Sequence, residues 1–277
     1  MGAELTFRYR KGYDMKIYTC NNTFEDMMCC LYVAWAEEIK IGHDQIALKR
    51  EPVMQQTLFD EYIHVDYDEE LFTKVVRSIR KKLSYQIYID IYYVAMSREE
   101  DALNTIYDYL HLAFKKGAEI RRCYTEPVVM RMMELRRSVG NEVHHFQEFV
   151  RFVSLDSRLY IAHVEPKHNI ALLVANIFAD RMPSENYMIV DDKRQFAVIH
   201  PKDGDLYIQQ LTAQESGLLQ QAEYKEDEYT DMWRGFFQSI AIRQRENPKC
   251  QRNLFPVWMR KHATEFMDGT DFRTDSY

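Results

Sequence analysis

Glycine is scarce in this chain, nine among 277 residues, and that scarcity already narrows the chemistry. A phosphate-cradling loop needs closely spaced glycines so that backbone can approach the anion, and neither GxGxxG nor a Walker loop is present. A nucleophile elbow of the GxSxG type is missing too. The five cysteines, Cys20, Cys29, Cys30, Cys123 and Cys250, are odd in number, and none stands in a CxxC pair. Such usage argues against a disulfide framework, a zinc site or an iron–sulfur cluster, and fits reduced thiols in the cytoplasm. No apolar run approaches the roughly 18 to 20 residues of a membrane span, so no membrane is expected as a partner. Positive charge is not in excess either, since the formal net charge is -7. Nucleic-acid binding by the whole surface is therefore excluded, and any such binding must come from a local patch. No cofactor and no metal are expected.

Apolar residues, by contrast, make up 46% of the chain, enough for a core and unlike a disordered composition. The pattern centres on residues 142–183, EVHHFQEFVRFVSLDSRLYIAHVEPKHNIALLVANIFADRMP, which hold four of the nine histidines. Alternating, β-branched and aromatic residues from Phe149 to Val153 and from Leu159 to Val164 predict two strands. Asp156-Ser157 supplies the turn between them, making a hairpin. Pro166 ends the second strand, because proline cannot donate to a ladder. From Asn169, read as an N-cap, the apolar spacing changes to Leu172, Leu173 and Ile177 and predicts a helix that closes before Pro183.

Upstream, Met15–Thr19 predicts a short strand, and Asn21–Thr23 caps a helix running to about Ile39. Residues 42–68 read as loop, with a short extended piece at Tyr62–Val65. Helices follow from Asp68, with Leu71, Val75, Ile79 and Leu83 in one stripe, over Tyr85–Met96, and over Glu99–Lys116 with Gly117 as the stop. Pro127 opens a long helix to about Phe146. Downstream, strands at Tyr187–Val190, Gln195–His200 and Leu206–Gln210 complete a mixed or antiparallel sheet of about five strands. Glu228–Arg245 is amphipathic, and its Trp233, Phe236 and Phe237 are expected to be buried. Asn247-Pro248 starts another helix. The expected fold class is α+β, with a mostly helical N-terminal half, the sheet in the middle and a helical C-terminus. Residues 1–14 read as a leader, 15–267 as a single α+β domain and 268–277 as a tail.

Two groups of residues can carry chemistry. Alternation puts His163 and Glu165 on one strand face, and the proline turn can return His168 toward them. With Arg151 these are the catalytic candidates, as acid–base groups or as a metal-like set, beside the plainer reading of a polar strand edge. The second group is basic: Arg243, Arg245, Lys249, Arg252, Arg260, Lys261 and His262 gather within twenty residues, opposed by Glu246 alone, with Phe255 and Trp258 between them. Cations there can follow a phosphate backbone while aromatics stack on bases. The candidate nucleic-acid contacts are Arg243, Arg245, Lys249, Arg252, Trp258, Arg260 and Lys261, beside the plainer reading of a solvated helix pair.

The segments RSVGNEVHHFQEFVRF (137–152), VEPKHNIALLVANIFADRMP (164–183), YMIVDDKR (187–194), MWRGFFQSIAIRQRENPKCQR (232–252) and FPVWMRKH (255–262) resemble a bacterial family of unknown function described as probable DNA metabolism protein. The resemblance runs from about Met15 to Phe266 and is clearest after Arg137. It implies a role beside a radical SAM protein that acts in DNA modification or repair; some members are joined to a uracil-DNA glycosylase domain, for which no stretch of this chain is left over. The chain lacks the CxxxCxxC cluster motif of the radical SAM enzyme, so the resemblance implies the partner of that enzyme. The expectation is a noncatalytic, cytoplasmic accessory protein that binds DNA, single-stranded DNA included, or the radical SAM protein. The alternative is an enzyme on nucleic acid with its site around residues 163–168.

Overall fold

The computed structural model describes residues 15–155, 159–223, 228–240 and 247–266. The leader, the tail, the Asp156-Ser157 turn, Arg243 and Arg245 lie outside the described residues. Cα packing divides the chain into two compact units, residues 1–139 and 140–277.

The first unit is built around a three-stranded parallel sheet in the order β2-β1-β3, with β1 at Lys16–Cys20, β2 at Ile46–Arg50 and β3 at Glu61–His64. Helix α1 (Phe24–Ile41) makes the crossover between β1 and β2. Thr23 caps it by accepting from the Asp26 N–H at 3.1 Å. Then come α2 (Glu69–Lys82), α3 (Tyr85–Ala95) and α4 (Ala102–Lys116), the first two capped by Asp68 and Ser84. Gly117 stops α4 at φ +70°, a backbone state that favours glycine. Strand β2 lies in the stretch expected to be loop. It is five residues long, and its partner β1 is a whole helix away in sequence, so no local pattern announces it. Its Ile46 and Leu48 are buried where α1 and α4 pack on it.

Helix α5 (Pro127–Phe149) crosses the division between the units and runs three residues beyond its expected end, so Phe149 is helical and not part of a strand. The second unit holds a five-stranded mixed sheet in sequence order: β4 (Val153–Leu155), β5 (Leu159–Val164), β6 (Tyr187–Asp191), β7 (Phe196–His200) and β8 (Tyr207–Gln210). Every neighbouring pair is antiparallel except β5 and β6, which run parallel. Helix α6 (Ala171–Arg181) is the crossover between them, and its N-cap is Ile170 in place of the expected Asn169. A helix absent from the sequence reading, α7 (Ala213–Glu223), places Leu219 on the Ile161, Val190 and Ala197 core. The observed class is α+β, as expected.

Helix α8 (Glu228–Ile240) departs from its expected burial. Met232, Phe236 and Ile240 are more than half exposed, while Trp233 donates its indole N–H to Glu265 and Arg234 donates to the Thr264 carbonyl; the Phe237 side chain lies outside the described residues. The last elements are α9 (Pro248–Leu254), capped by Asn247, and 3₁₀ turns at Val257–His262 and Thr264–Phe266.

Candidate functional site

The parallel pairing of β5 with β6 decides the site. Parallel strands end on the same edge, so the carboxyl end of β5 meets the carboxyl end of β6. His163 is in register with Val190, and the Asp192 N–H donates to the Val164 carbonyl at 3.1 Å, extending the ladder by one step. Residues 163, 165 and 192 therefore share one face of the sheet edge. The His163 ring is buried, its Nδ1 3.0 Å and 3.1 Å from the two Asp192 carboxylate oxygens and its Nε2 3.2 Å from the Leu219 carbonyl of α7. Both nitrogens face acceptors, and only a ring protonated at both satisfies them together.

The 3₁₀ turn that follows Pro256 completes the cluster. Lys261 forms an ion pair with Glu165. His262 places Nε2 3.7 Å from Glu165 and 3.8 Å from Asp192, with its ring nearly parallel to that of His163 at 6.0 Å. Burial acts to raise the Asp192 carboxyl, but the His163 hydrogen bond and the charges of His163 and His262 outweigh it, so Asp192 lies below the usual carboxylate range. The adjoining cleft, lined among others by Phe146, Arg151, His163, Glu165, Trp258 and His262, has about 10 Å³ of free space. That is roughly the room one water molecule needs, far too little for a nucleobase.

The loop joining β5 to α6 is held rigidly. One Glu142 oxygen accepts from the Lys167 N–H and the other from the His168 N–H, each at 2.8 Å. Burial pushes the Glu142 carboxyl up against these bonds. Arg194, anchored on the fully buried Asp191 at 2.8 Å, donates to the carbonyls of Pro166 and Lys167. His168 is buried, and the acid–base groups that converge with His163 and Glu165 are Asp192 and His262.

Arg151 lines the cleft while its guanidinium is held by Glu265, at 2.7 Å and 3.2 Å, and lies 5.1 Å above the Trp233 ring. Burial raises the Glu265 carboxyl, and Arg151, with help from Trp233, more than reverses this and holds it below its ordinary value. Arg151 therefore fastens residues 264–266 to the end of α5.

The basic candidates divide. Lys249 and Arg252 stand exposed on α9, and Lys261 is exposed beyond its contact with Glu165. Trp258 is 37% exposed, with the Lys167 ammonium 4.4 Å from its ring centre. Arg260 turns the other way: it is buried, bonds the Phe255 carbonyl through Nε and Nη2, and lies between the Phe255 and Phe266 rings. The expectation that its charge faces outward does not hold. A residue following a bulky apolar pair in a tight 3₁₀ turn has its direction set by the turn, which composition does not report.

Asp192, His262 and Lys167 were the members the sequence reading did not place with this site. The strand–helix–strand order from 159 to 191 was the available signal, because such a crossover makes parallel neighbours and brings residues 163–165 beside 191–192.

A family model described as a domain of unknown function, DUF4130, matches residues 100–265. No curated protein matches the chain, and no solved structure does.

Proposed function

The chain belongs to the DUF4130 family, a domain of unknown function, and from that premise we propose that it is a nucleic-acid-binding accessory protein of DNA metabolism, in repair or modification. The observation that carries this reading is Trp258, 37% exposed with the Lys167 ammonium 4.4 Å from its ring centre, in a 3₁₀ turn that also carries the exposed Lys261. Two lysines supply phosphate contacts, and the indole supplies a platform on which any base can stack. Lys249 and Arg252 extend the positive surface on α9. The exposed Met232, Phe236 and Ile240 of α8 offer an apolar stripe for a protein partner, and the resemblance noted above makes a radical SAM protein the partner to try first.

The test is a titration of single-stranded and double-stranded DNA at several salt concentrations. Lys167→Gln with Lys261→Gln should flatten the salt dependence by about one unit of slope for each contact removed. Trp258→Ala should weaken single-strand binding by about 1–3 kcal/mol with little change in slope. A wild-type chain that binds neither form of DNA sinks the reading.

The His163–Asp192–His262–Glu165 cluster favours a second reading, an enzyme on nucleic acid that uses His262 between two carboxylates for proton transfer. Its cleft admits little more than a water molecule, which ranks it below the first. Turnover of any DNA substrate that is lost in His262→Gln while DNA binding persists would reverse the order.

A further inference from the structure

The first unit contains a second histidine cluster, and none of its members is used above. Glu38 lies near the end of α1, His43 in the 3₁₀ turn His43–Gln45 that follows, and His111 on α4. A ligand atom from each lies within 4.8 Å of the others. The two imidazoles face one another with ring centres 4.2 Å apart, backed by Tyr107 against His43 and by Trp35 against His111. Glu38 and His43 precede the region matched by the family model, so the family assignment does not account for the cluster.

Hydrogen bonding sets the direction of each donor atom. His43 Nε2 is 2.9 Å from Asp108 Oδ1, and a carboxylate only accepts, so Nε2 carries a proton and Nδ1 is the nitrogen that can turn to a cation. His43 Nδ1 lies 3.5 Å from Glu38 Oε2, so a cation bound here takes the place of any proton on Nδ1. Asn104 donates to the other Asp108 oxygen at 3.2 Å and so fixes the orienting carboxylate. His111 Nδ1 is 2.7 Å from Glu38 Oε1 but out of line for a hydrogen bond. Both Nδ1 atoms are buried, and neither has a hydrogen-bond partner among the described residues. Tyr107 donates to Glu38 Oε2 at 2.6 Å, which leaves Oε1 as the oxygen to offer.

Two buried imidazole nitrogens converge on one carboxylate with no hydrogen bond in line between them, and a cation can take the place of the protons there. We propose that Glu38, His43 and His111 bind a divalent first-row transition metal of the zinc class. Two histidines and one carboxylate with a fourth position open is a zinc-type donor set, and Asp108 stands to His43 as the outer carboxylate that orients a metal-binding imidazole. A tetrahedral ion at about 2.0–2.1 Å from its nitrogens holds its donors about 3.3 Å apart, within small side-chain rotations of the present spacing. His111 adapts by moving its proton from Nδ1 to Nε2. The exposed Lys115 amine, whose only role at Nε2 is to donate, then turns into solvent.

The experiment uses the full chain stripped with a chelator and titrated with Co²⁺, read by visible d–d absorption, then with Zn²⁺ in competition. One equivalent of Co²⁺ with a four- or five-coordinate spectrum is expected. His43→Ala and His111→Ala should each weaken binding at least about 100-fold, and Asp108→Asn about 10-fold. The pair Glu165→Gln and His262→Gln should leave the titration unchanged, since it touches only the second unit's cluster. If an alanine variant does not fold, X-ray absorption of the wild-type zinc form reads the shell directly, with two imidazoles expected. No saturable d–d band in the wild type, a band that survives both histidine variants, or a sulfur-dominated shell would overturn the proposal.

Discussion

The two histidine clusters use the same residue types to different ends. In the second unit each carboxylate already has its cation: Lys261 reaches Glu165, His163 sits on Asp192, and Arg151 holds Glu265. In the first unit Glu38 faces two imidazole nitrogens and a phenol, while Lys115 contacts the far nitrogen of His111. A histidine–carboxylate cluster is therefore not one kind of object. Where a lysine or arginine closes the charge balance, the cluster is a fastening; where two imidazoles alone face a carboxylate, the same residue types can seat an ion in place of protons.

The sharpest way to test the fastening is to remove a cation from it. Arg151→Met leaves Glu265 as a buried carboxylate without its partner and should cost about 3–5 kcal/mol in chemical denaturation. A cost below about 1 kcal/mol would mean that the buried pair carries little, and the contrast with the first unit would fail.

Asp192→Asn should come next, at about 2 kcal/mol, since a hydrogen bond to a charged group is lost inside the sheet edge. Its pH signature is more telling than its size. Asp192 and Glu265 both titrate lower when folded than when unfolded. Their stabilisation is thus present above the unfolded carboxyl range near about pH 4 and is lost as pH falls through the folded values. Acid unfolding followed by circular dichroism should be shallower below about pH 4 in Asp192→Asn than in wild type, and an unchanged slope would discount the His163 contact.

Asp108→Asn in the first unit should change the stability of the metal-free chain by about 1 kcal/mol or less, because the Asp108 side chain is 39% exposed. Its effect belongs to metal affinity, so a large stability loss without metal would make that cluster a fastening as well. Smallest of all, Lys261→Gln should stay within about 0.5 kcal/mol in denaturation, as its partner contact is solvent-exposed, even though it should alter DNA binding.

Much of the architecture was legible locally. The helices from Asp68, Ser84 and Asn247 carry their own caps, and the Ile79 stripe, the Gly117 stop and the strands after Tyr187 are short-range patterns. Strand β2 and helix α7 were not legible. The first owes its existence to a partner beyond an intervening helix, the second to the packing of Leu219. Amphipathicity in α8 was read correctly as periodicity, but the face it presents depends on what packs there, and Met232 and Phe236 stay outside.

By itself the sequence determined the class of elements, the absence of glycine-rich phosphate loops and paired-cysteine motifs, and the candidates His163, Glu165 and Lys261, because composition, caps and periodicity act over a few residues. Tertiary structure alone decided which groups meet. His262 stands 99 residues beyond His163 and reaches it through the 3₁₀ turn after Pro256, Asp192 reaches it through the parallel edge of β5 and β6, and His111 reaches Glu38 because α4 and α1 pack on the same strand. The physical reason is that charge and hydrogen-bond chemistry depends on distances of about 3–4 Å, and over such spans the fold, not chain order, sets who is whose neighbour.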